Sequence, residues 1–127
     1  MQLVDTDVLV DVLRKHPPAL TWLASLGSET LGVSGLVAME LLQGCRNRAE
    51  QRQVEKLLHP YHLYWSSQTD CSRAYDDFAG HYLSHNLGIL DALIAETAVG
   101  LGAKLATFNE GHYRSVASLR LTQPYER

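Results

Sequence analysis

Three acidic residues in this sequence stand beside apolar runs, where a carboxylate is unusual. Asp5 closes one short apolar run, Glu40 interrupts a second, and Asp91 comes just before a third. A carboxylate that borders a buried segment is uncommon unless it is paired or bound to a metal ion. If the three converge, two of them ~4 Å apart repel by about 4 kcal/mol at an effective dielectric constant of ~20 unless a cation neutralises them. The pattern therefore indicates a site for a divalent cation.

A site of this kind has a definite chemistry. Ligand sets made only of oxygen atoms suit Mg²⁺ or Mn²⁺ and argue against zinc. Such ions activate water and stabilise the pentacoordinate phosphate that forms when a phosphodiester is cleaved. The net charge of −3, from 11 basic and 14 acidic side chains, provides no general attraction for nucleic acid. Contact with RNA or DNA must therefore be local or carried by the metal.

Each acid also has a simpler structural explanation. Asp7 and Asp91 suit the N-cap of a helix, where a carboxylate accepts hydrogen bonds from unpaired backbone N–H groups. Glu40 can lie on the solvent face of a helix that is buried on one side. The choice between a structural and a catalytic role depends on whether the fold brings these residues together.

The elements that must position these acids alternate between strands and helices. Strands are predicted at 3–4, 30–33, 62–65, 104–107 and 119–122, and helices up to residue 14 and at 17–27, 35–43, 47–58, 69–85 and 90–101. This alternation is typical of a mostly parallel sheet flanked by helices. In such a sheet the crevice lies beyond the carboxyl ends of the strands, where strand order reverses. The three acids would meet at that edge, together with Asn109.

Composition restricts the class of protein. A length of 127 residues, with 46% apolar and 20% charged residues, suits one globular domain. No apolar run approaches the ~18 residues that span a bilayer, and the N-terminal segment lacks a basic leader. Cys45 and Cys71 form no CxxC motif. We therefore expect two buried thiols, a cytoplasmic location and no membrane partner.

Four segments, taken in order, resemble a known family. They are residues 3–9, 34–44, 91–98 and 105–113. The chain is similar to the PIN-domain ribonucleases, and specifically to the VapC-type toxins of bacterial and archaeal toxin–antitoxin pairs. The resemblance implies a PIN-like three-layer α/β fold in a single nuclease domain over 1–127. It also implies a metal-dependent endoribonuclease that uses Mg²⁺ or Mn²⁺, acts on RNA, forms a homodimer and is silenced by a cognate antitoxin protein.

The family's site residues carry over by position. Asp5, Glu40 and Asp91 match its metal-binding and catalytic acids. Asn109 completes the catalytic set at a position where many members have a fourth acid and others have Asn. Because an amide binds Mg²⁺ more weakly than a carboxylate does, the choice between one and two metal ions stays open.

Other positions receive secondary roles from the resemblance. Thr6 and Thr107 match hydroxyl positions that orient ligands or water, and Asp7 is an additional ligand. Glu96 stands where Ala is common and is expected to be a solvated helix residue. Tyr113 is expected to pack the loop that follows the 104–107 strand.

A basic cluster lies in the polar helix. Arg46, Arg48 and Arg52 are expected either to form a solvated face paired with Glu50 and Glu55, or to contact RNA or the antitoxin.

Three alternatives to a PIN-type nuclease differ in the residues that they require. A catalytically silent PIN-like module that only binds partners stays open. A haloacid-dehalogenase-type phosphatase would need Thr or Val where Leu9 stands, and a late acidic pair after a strand, whereas Asp76 and Asp77 lie in a helical pattern. A signalling receiver domain would need an isolated Asp after the third strand and a Lys after the fifth, and neither is present.

Overall fold

The computed structural model describes residues 1–27 and 29–127. Its strands are β1 (Gln2–Val4), β2 (Leu31–Ser34), β3 (Leu63–Tyr64), β4 (Lys104–Ala106) and β5 (Leu121–Thr122). Its helices are α1 (Thr6–Leu13), α2 (Pro17–Ser25), α3 (Gly35–Gln43), α4 (Arg48–Leu58), α5 (Gln68–His85), α6 (Ile89–Gly100) and α7 (Glu110–Tyr113). Strands and helices alternate as the sequence predicts.

The strands form one parallel sheet in the order β3-β2-β1-β4-β5. The chain runs outward from β1 to β2 and β3, then crosses back to β4 and β5 on the other side of β1. Strand order therefore reverses between β1 and β4. The carboxyl ends of these two strands border the crevice where sheets of this kind bind ligands. The predicted α/β class with a mostly parallel central sheet is confirmed.

The first strand is central because its residues are apolar on both faces. Leu3 and Val4 are 0% exposed, as expected for a strand with helices on both sides. Val4 pairs with Val33 of β2 and with Ala106 of β4. The N–H of Asp5 donates to Ala106 O at 2.9 Å, so that pairing with β4 continues to the first residue beyond β1.

Side-chain caps fix where several helices begin. Asp5, Ser34, Asn47 and Ser67 each accept a hydrogen bond from a backbone N–H at the start of α1, α3, α4 and α5. α1 packs against α2, α3 and α4, and α5 packs against α6. The core between helices and sheet includes Leu3, Val8, Leu9, Val33, Val37, Ile94, Leu105 and Tyr113. In the part of the chain that the structure describes, no helix is both long and apolar enough to cross a membrane.

Element boundaries differ from the sequence-based prediction mainly at the sheet edges. β3 covers Leu63–Tyr64 instead of 62–65, and β5 covers Leu121–Thr122 instead of 119–122. Both are edge strands that pair over two residues only. The short helix α7 (Glu110–Tyr113) was not predicted, because four residues are too few to show a helical period.

Two expectations about individual residues are wrong. Cys71 is exposed and Cys45 is only partly buried, so the thiols are not both core groups. Glu96 is not solvated: it is 4% exposed, and its carboxylate accepts a hydrogen bond from Arg73 Nε at 2.8 Å. Because α5 covers this face of α6, the buried charge requires the guanidinium as its partner.

Candidate active site

Asp5 lies where β1 ends and α1 begins, and it is 4% exposed. Its Oδ1 accepts from Thr6 N–H at 2.8 Å, and its Oδ2 accepts from the hydroxyls of Thr107 at 2.7 Å and Tyr113 at 3.0 Å. Burial raises the pKa of Asp5 despite these donors, and the charge of Asp91 raises it further. Three fixed donors therefore orient a carboxylate that has lost most of its contact with water.

Glu40 reaches the same edge from the middle of α3. The Thr6 hydroxyl donates to Glu40 Oε1 at 2.8 Å. Burial raises the pKa of Glu40, and the negative charges of Asp5 and Asp91 raise it further. A freely solvated surface acid would not be affected in this way, so the surface interpretation of Glu40 is not supported.

Asp91 lies in the first turn of α6, and the N-cap is Gly88 rather than Asp91 as the sequence suggested. Its Oδ2 accepts from Gly88 N–H at 3.2 Å, and His112 Nδ1 lies 3.9 Å from the same oxygen. Its side chain is 28% exposed. Capping thus explains the orientation of one carboxylate oxygen of Asp91. The charge of Asp91 also raises the pKa values of both Asp5 and Glu40.

The donor set fits a hydrated divalent cation. The three carboxylates supply only oxygen, and among the described residues no basic side chain contributes to the pKa of Asp5 or Glu40. Within residues 1–27 and 29–127, no three His, Cys, Asp or Glu side chains stand close enough to enclose an ion by themselves. Mg²⁺ keeps several of its waters and binds proteins through one or two carboxylates, which suits this open arrangement.

The rim of the site is formed by the turn between β4 and α7. Asp7 Oδ1 accepts from Val8 N–H at 2.8 Å, and its Oδ2 accepts from Phe108 N–H at 2.9 Å. The N–H of Asn109 donates to Thr107 Oγ1 at 3.0 Å, and the Asn109 side chain is exposed. Asp7 therefore ties the turn to α1, while Asn109 lies at the open end of the rim.

The basic cluster is largely paired with acids. Arg46 Nη2 lies 2.8 Å from Glu50 Oε2, and Arg48 Nη1 lies 3.8 Å from Glu55 Oε1, as expected for a solvated face. Arg52 has no carboxylate partner among the residues that the structure describes. Arg46 also borders a groove between α1, α3 and α4 that reaches the acidic edge at Glu40.

Tyr113 is a site residue that sequence reasoning missed, since it was assigned only a packing role. It is 1% exposed, and its hydroxyl donates to Asp5. Burial and the charges of the three acids raise the pKa of the Tyr113 phenol far above its usual range, so the phenol stays protonated as a donor. No pattern in the sequence marks it, because a buried aromatic residue after a turn serves equally well as core.

The topology and this edge define a class of protein: a parallel α/β sheet whose switch point carries one acid just after β1, one from α3 and one from α6. A family model described as the PIN domain matches residues 3–118. The chain belongs to this family. The phosphatase and receiver-domain alternatives are therefore excluded.

Relatives and solved structures agree with this assignment. The chain is 36% identical over 122 residues to "Ribonuclease VapC10" of Mycobacterium tuberculosis, covering 94% of this chain and 91% of the relative. It is 37% identical over 118 residues to "Ribonuclease VapC19" of the same species, covering 89% and 92%.

Among solved structures, "VapBC2 from Rickettsia felis bound to a DNA fragment from their promoter" has a TM-score of 0.79 at 23% identity, covering 95% of this chain and 96% of the other. DNA-bound VapBC from Salmonella typhimurium has a TM-score of 0.82 at 18% identity, covering 98% and 99%. At these identities the structures establish the fold.

Proposed function

We propose that this chain is a divalent-metal-dependent endoribonuclease and the toxin of a type II toxin–antitoxin pair. The observation that carries the proposal is the group of three carboxylates at the β1–β4 switch point. The charge of Asp91 raises the pKa of Asp5, and the charges of Asp5 and Asp91 raise the pKa of Glu40. Relatives that align with nearly the whole chain are named ribonucleases, which supports RNA as the substrate.

Asp5, Glu40 and Asp91 would hold the cation, which we propose to be Mg²⁺ or Mn²⁺. When bound, it would supply a more acidic water and a positive charge next to the phosphate. The chain itself contributes orientation: Thr6 connects Asp5 to Glu40, and Thr107 fixes Asp5 Oδ2. These contacts keep the carboxylates in place before any ligand arrives.

Asn109, Thr107 and Asp7 take different parts in this proposal. We assign the exposed Asn109 amide, at the rim, to contact with RNA or a second ion. Thr107 acts through Asp5, since its hydroxyl donates to that carboxylate. Asp7 holds the rim turn, because each of its oxygens already accepts from a backbone N–H.

The proposed partners are RNA, a second copy of the chain and an antitoxin protein, in the cytoplasm, with residues 1–127 as one nuclease domain. The antitoxin is supported by the similarity of this chain to a solved toxin–antitoxin complex from Klebsiella pneumoniae. We assign Arg46, Arg48 and Arg52 to contacts with RNA or antitoxin. Arg52 is the best supported of the three, because it can bind a new partner without first breaking an ion pair within the chain.

Cleavage of a structured RNA mixture by the purified, antitoxin-free protein tests the function. Reactions contain Mg²⁺, Mn²⁺ or EDTA, with Asp91→Asn alongside and the exposed helix acid Asp76 replaced by Asn as a matched control. We expect cleavage that requires metal, is lost in Asp91→Asn and is retained in Asp76→Asn. Equal activity in the Asp91 variant and the wild type would contradict the site.

A catalytically silent binding module is the second candidate, because the described carboxylates do not enclose an ion by themselves. Calorimetric titration with Mn²⁺ separates the two candidates. A nuclease should bind Mn²⁺ in the wild type and much more weakly in Asp91→Asn. If the chain is a silent module without a working acidic site, Mn²⁺ should give no binding heat with the wild type or with Asp91→Asn.

A further inference from the structure

A segment near residue 125 lies against α1 and the rim turn of the candidate site. The Arg127 guanidinium carbon is 4.4 Å from the centroid of the Phe108 ring, within the range of a cation–π contact. Arg127 Nε donates to Asp11 Oδ2 at 3.0 Å, and Nη2 donates to Asp11 Oδ1 at 3.3 Å. One side chain thus connects α1 to the turn after β4.

Tyr125 strengthens the same connection. Its ring lies 4.9 Å from the Phe108 ring in an edge-on arrangement, and its hydroxyl donates to Asp11 Oδ2 at 2.7 Å. The Asp11 carboxylate is buried, yet Arg127 and Tyr125 together outweigh the effect of burial and lower its pKa. Asp11 therefore anchors both side chains that hold Phe108.

Phe108 stands between the two rim residues of the candidate site. Thr107 precedes it and donates to Asp5 Oδ2, and Asn109 follows it at the open end. The Phe108 N–H donates to Asp7 Oδ2. The backbone of Phe108 is thus fixed by α1, while its ring is fixed by Arg127 and Tyr125.

We propose that Arg127 is a positioning residue, which holds the Phe108 ring so that the 107–109 turn keeps Thr107 against Asp5. The inference rests on the proposed nuclease function only for its catalytic consequence. Arg127 has no polar contact with Asp5, Glu40 or Asp91 in the described structure and acts through Phe108. Loss of the guanidinium leaves the Asp11 charge without its cation and one face of the Phe108 ring uncovered.

The test compares Arg127→Ala, Arg127→Lys and a matched control, Arg120→Ala. Arg120 donates to Gly102 O at 2.8 Å, away from the rim turn. Amide hydrogen exchange of the metal-free protein is the first readout, since it needs neither RNA nor cation. In Arg127→Ala we expect exchange at Phe108 and Asn109 to rise about tenfold or more by local opening of the turn.

Steady-state cleavage is the second readout. Displacing catalytic groups by a fraction of an ångström lowers turnover, so we expect kcat to fall about tenfold in Arg127→Ala with KM within about twofold. Lys keeps the charge but not the planar fork, so Arg127→Lys should recover part of both the exchange protection and kcat. Arg120→Ala should match the wild type.

Two results would overturn the proposal. One is wild-type exchange at Phe108 and Asn109 in Arg127→Ala. The other is equal acceleration at the amides of Val4 and Ile94, which would make Arg127 a general contributor to stability. If the wild-type protein cleaves no RNA with any metal, the nuclease proposal fails, while the exchange experiment still decides the positioning of the turn.

Discussion

Thr6 serves two carboxylates at once, since its N–H donates to Asp5 and its hydroxyl to Glu40. The chain therefore holds two negative charges near each other in partly desolvated surroundings. Such an arrangement costs stability in the absence of a cation, which is a common trade-off at functional sites. The cost can be measured by removing one charge and keeping the shape.

Glu40→Gln removes one of these charges and retains an oxygen that can accept from Thr6. We expect cleavage to fall by about 100-fold or more, because a cation ligand is lost. In EDTA we expect the unfolding free energy to rise by about 0.5 kcal/mol, a small gain because solvent screens a half-buried group. Thermal unfolding and cleavage assays measure both effects. The exposed acid variant Glu29→Gln should change neither, and a less stable Glu40→Gln would contradict the account.

Tyr113→Phe removes a single hydroxyl from the site. Asp5 then loses one of three donors, and a hydrogen bond to a charged group contributes about 1.5–3 kcal/mol. We expect the unfolding free energy to fall by an amount in that range, with cleavage reduced, as measured by urea unfolding and steady-state kinetics. Tyr75→Phe, at an exposed tyrosine, is the control. No change in either quantity would mean that the Tyr113 hydroxyl does not support Asp5.

The acids could be selected from sequence, whereas their hydrogen-bond donors could not. Asp5, Glu40 and Asp91 are recognisable because charge beside apolar runs is unusual. Thr107 was selected through the family resemblance, and Tyr113 was missed. The contacts of both with Asp5 span more than a hundred residues. Local patterns carry no information about such pairings.

At the level of elements, α5 and α6 are joined by a charged contact that the sequence did not reveal. Arg73 of α5 pairs with Asp70 at 2.7 Å and with Glu96 of α6 at 2.8 Å. Asp77 Oδ2 is buried without a hydrogen-bond partner in the described structure. Burial first, and then its contact with Glu96, raises the pKa of Asp77 to about 7.

Asp77→Asn should therefore change how stability depends on pH. Because the pKa of Asp77 is higher in the folded than in the unfolded chain, its stabilising effect is complete at low pH. That effect is lost as pH rises from about 4 through about 7. We expect the variant to melt a few degrees above the wild type at pH 8 and close to it at pH 4. Glu29→Gln, at an exposed acid outside α5 and α6, should keep the wild-type dependence. Parallel pH profiles for Asp77→Asn and wild type would refute the prediction.

Gly100 permits the close approach of the same two helices. A Cβ at Gly100 would collide with the Asp70 carboxylate, which caps α5 and binds Arg73. We expect Gly100→Ala to lower the unfolding free energy by about 1–3 kcal/mol through overpacking. Gly80→Ala, also in a helix but with open space around it, should raise it by up to about 1 kcal/mol. Denaturant unfolding of both variants measures the contrast, and equal effects would argue against a specific contact.

Helices and central strands could be predicted because their periodicity and caps are local. Ser34 and Gly44 bounded α3 correctly, and the alternation of strands with helices gave the parallel sheet. The bounds of the edge strands are less predictable, because they depend on pairing partners rather than on the strands' own residues. Helix α7 is too short to show a period in the sequence. The burial of Glu96 followed from α5 packing, which no local pattern encodes.

For the whole molecule, a net charge of −3 limits how RNA can be held. Proteins that neutralise six to ten phosphates lose about 10³–10⁵ in affinity between about 50 and 200 mM salt. RNA binding is measured in EDTA, where cleavage is blocked. Because few phosphates contact a basic side chain of this protein, we expect its affinity for RNA to fall by less than about tenfold over the same salt range. Fluorescence anisotropy with a labelled RNA measures the slope. We expect the affinity of Arg52→Ala for RNA to depend even less on salt than that of the wild type. A steep salt dependence in the wild type would contradict the prediction and show a basic binding surface despite the net negative charge.

The central place of β1 also bears on how the chain is made. Asp5 is synthesised more than a hundred positions before residues 107 and 113, which donate to its Oδ2. Domains acquire long-range structure only when the distant segments are available. A nascent chain in which residues 107 and 113 have not yet left the ribosome therefore cannot complete this pocket. On the proposed function, such a partial chain lacks the donors that orient Asp5, so cleavage has to wait for the later segments to fold against β1.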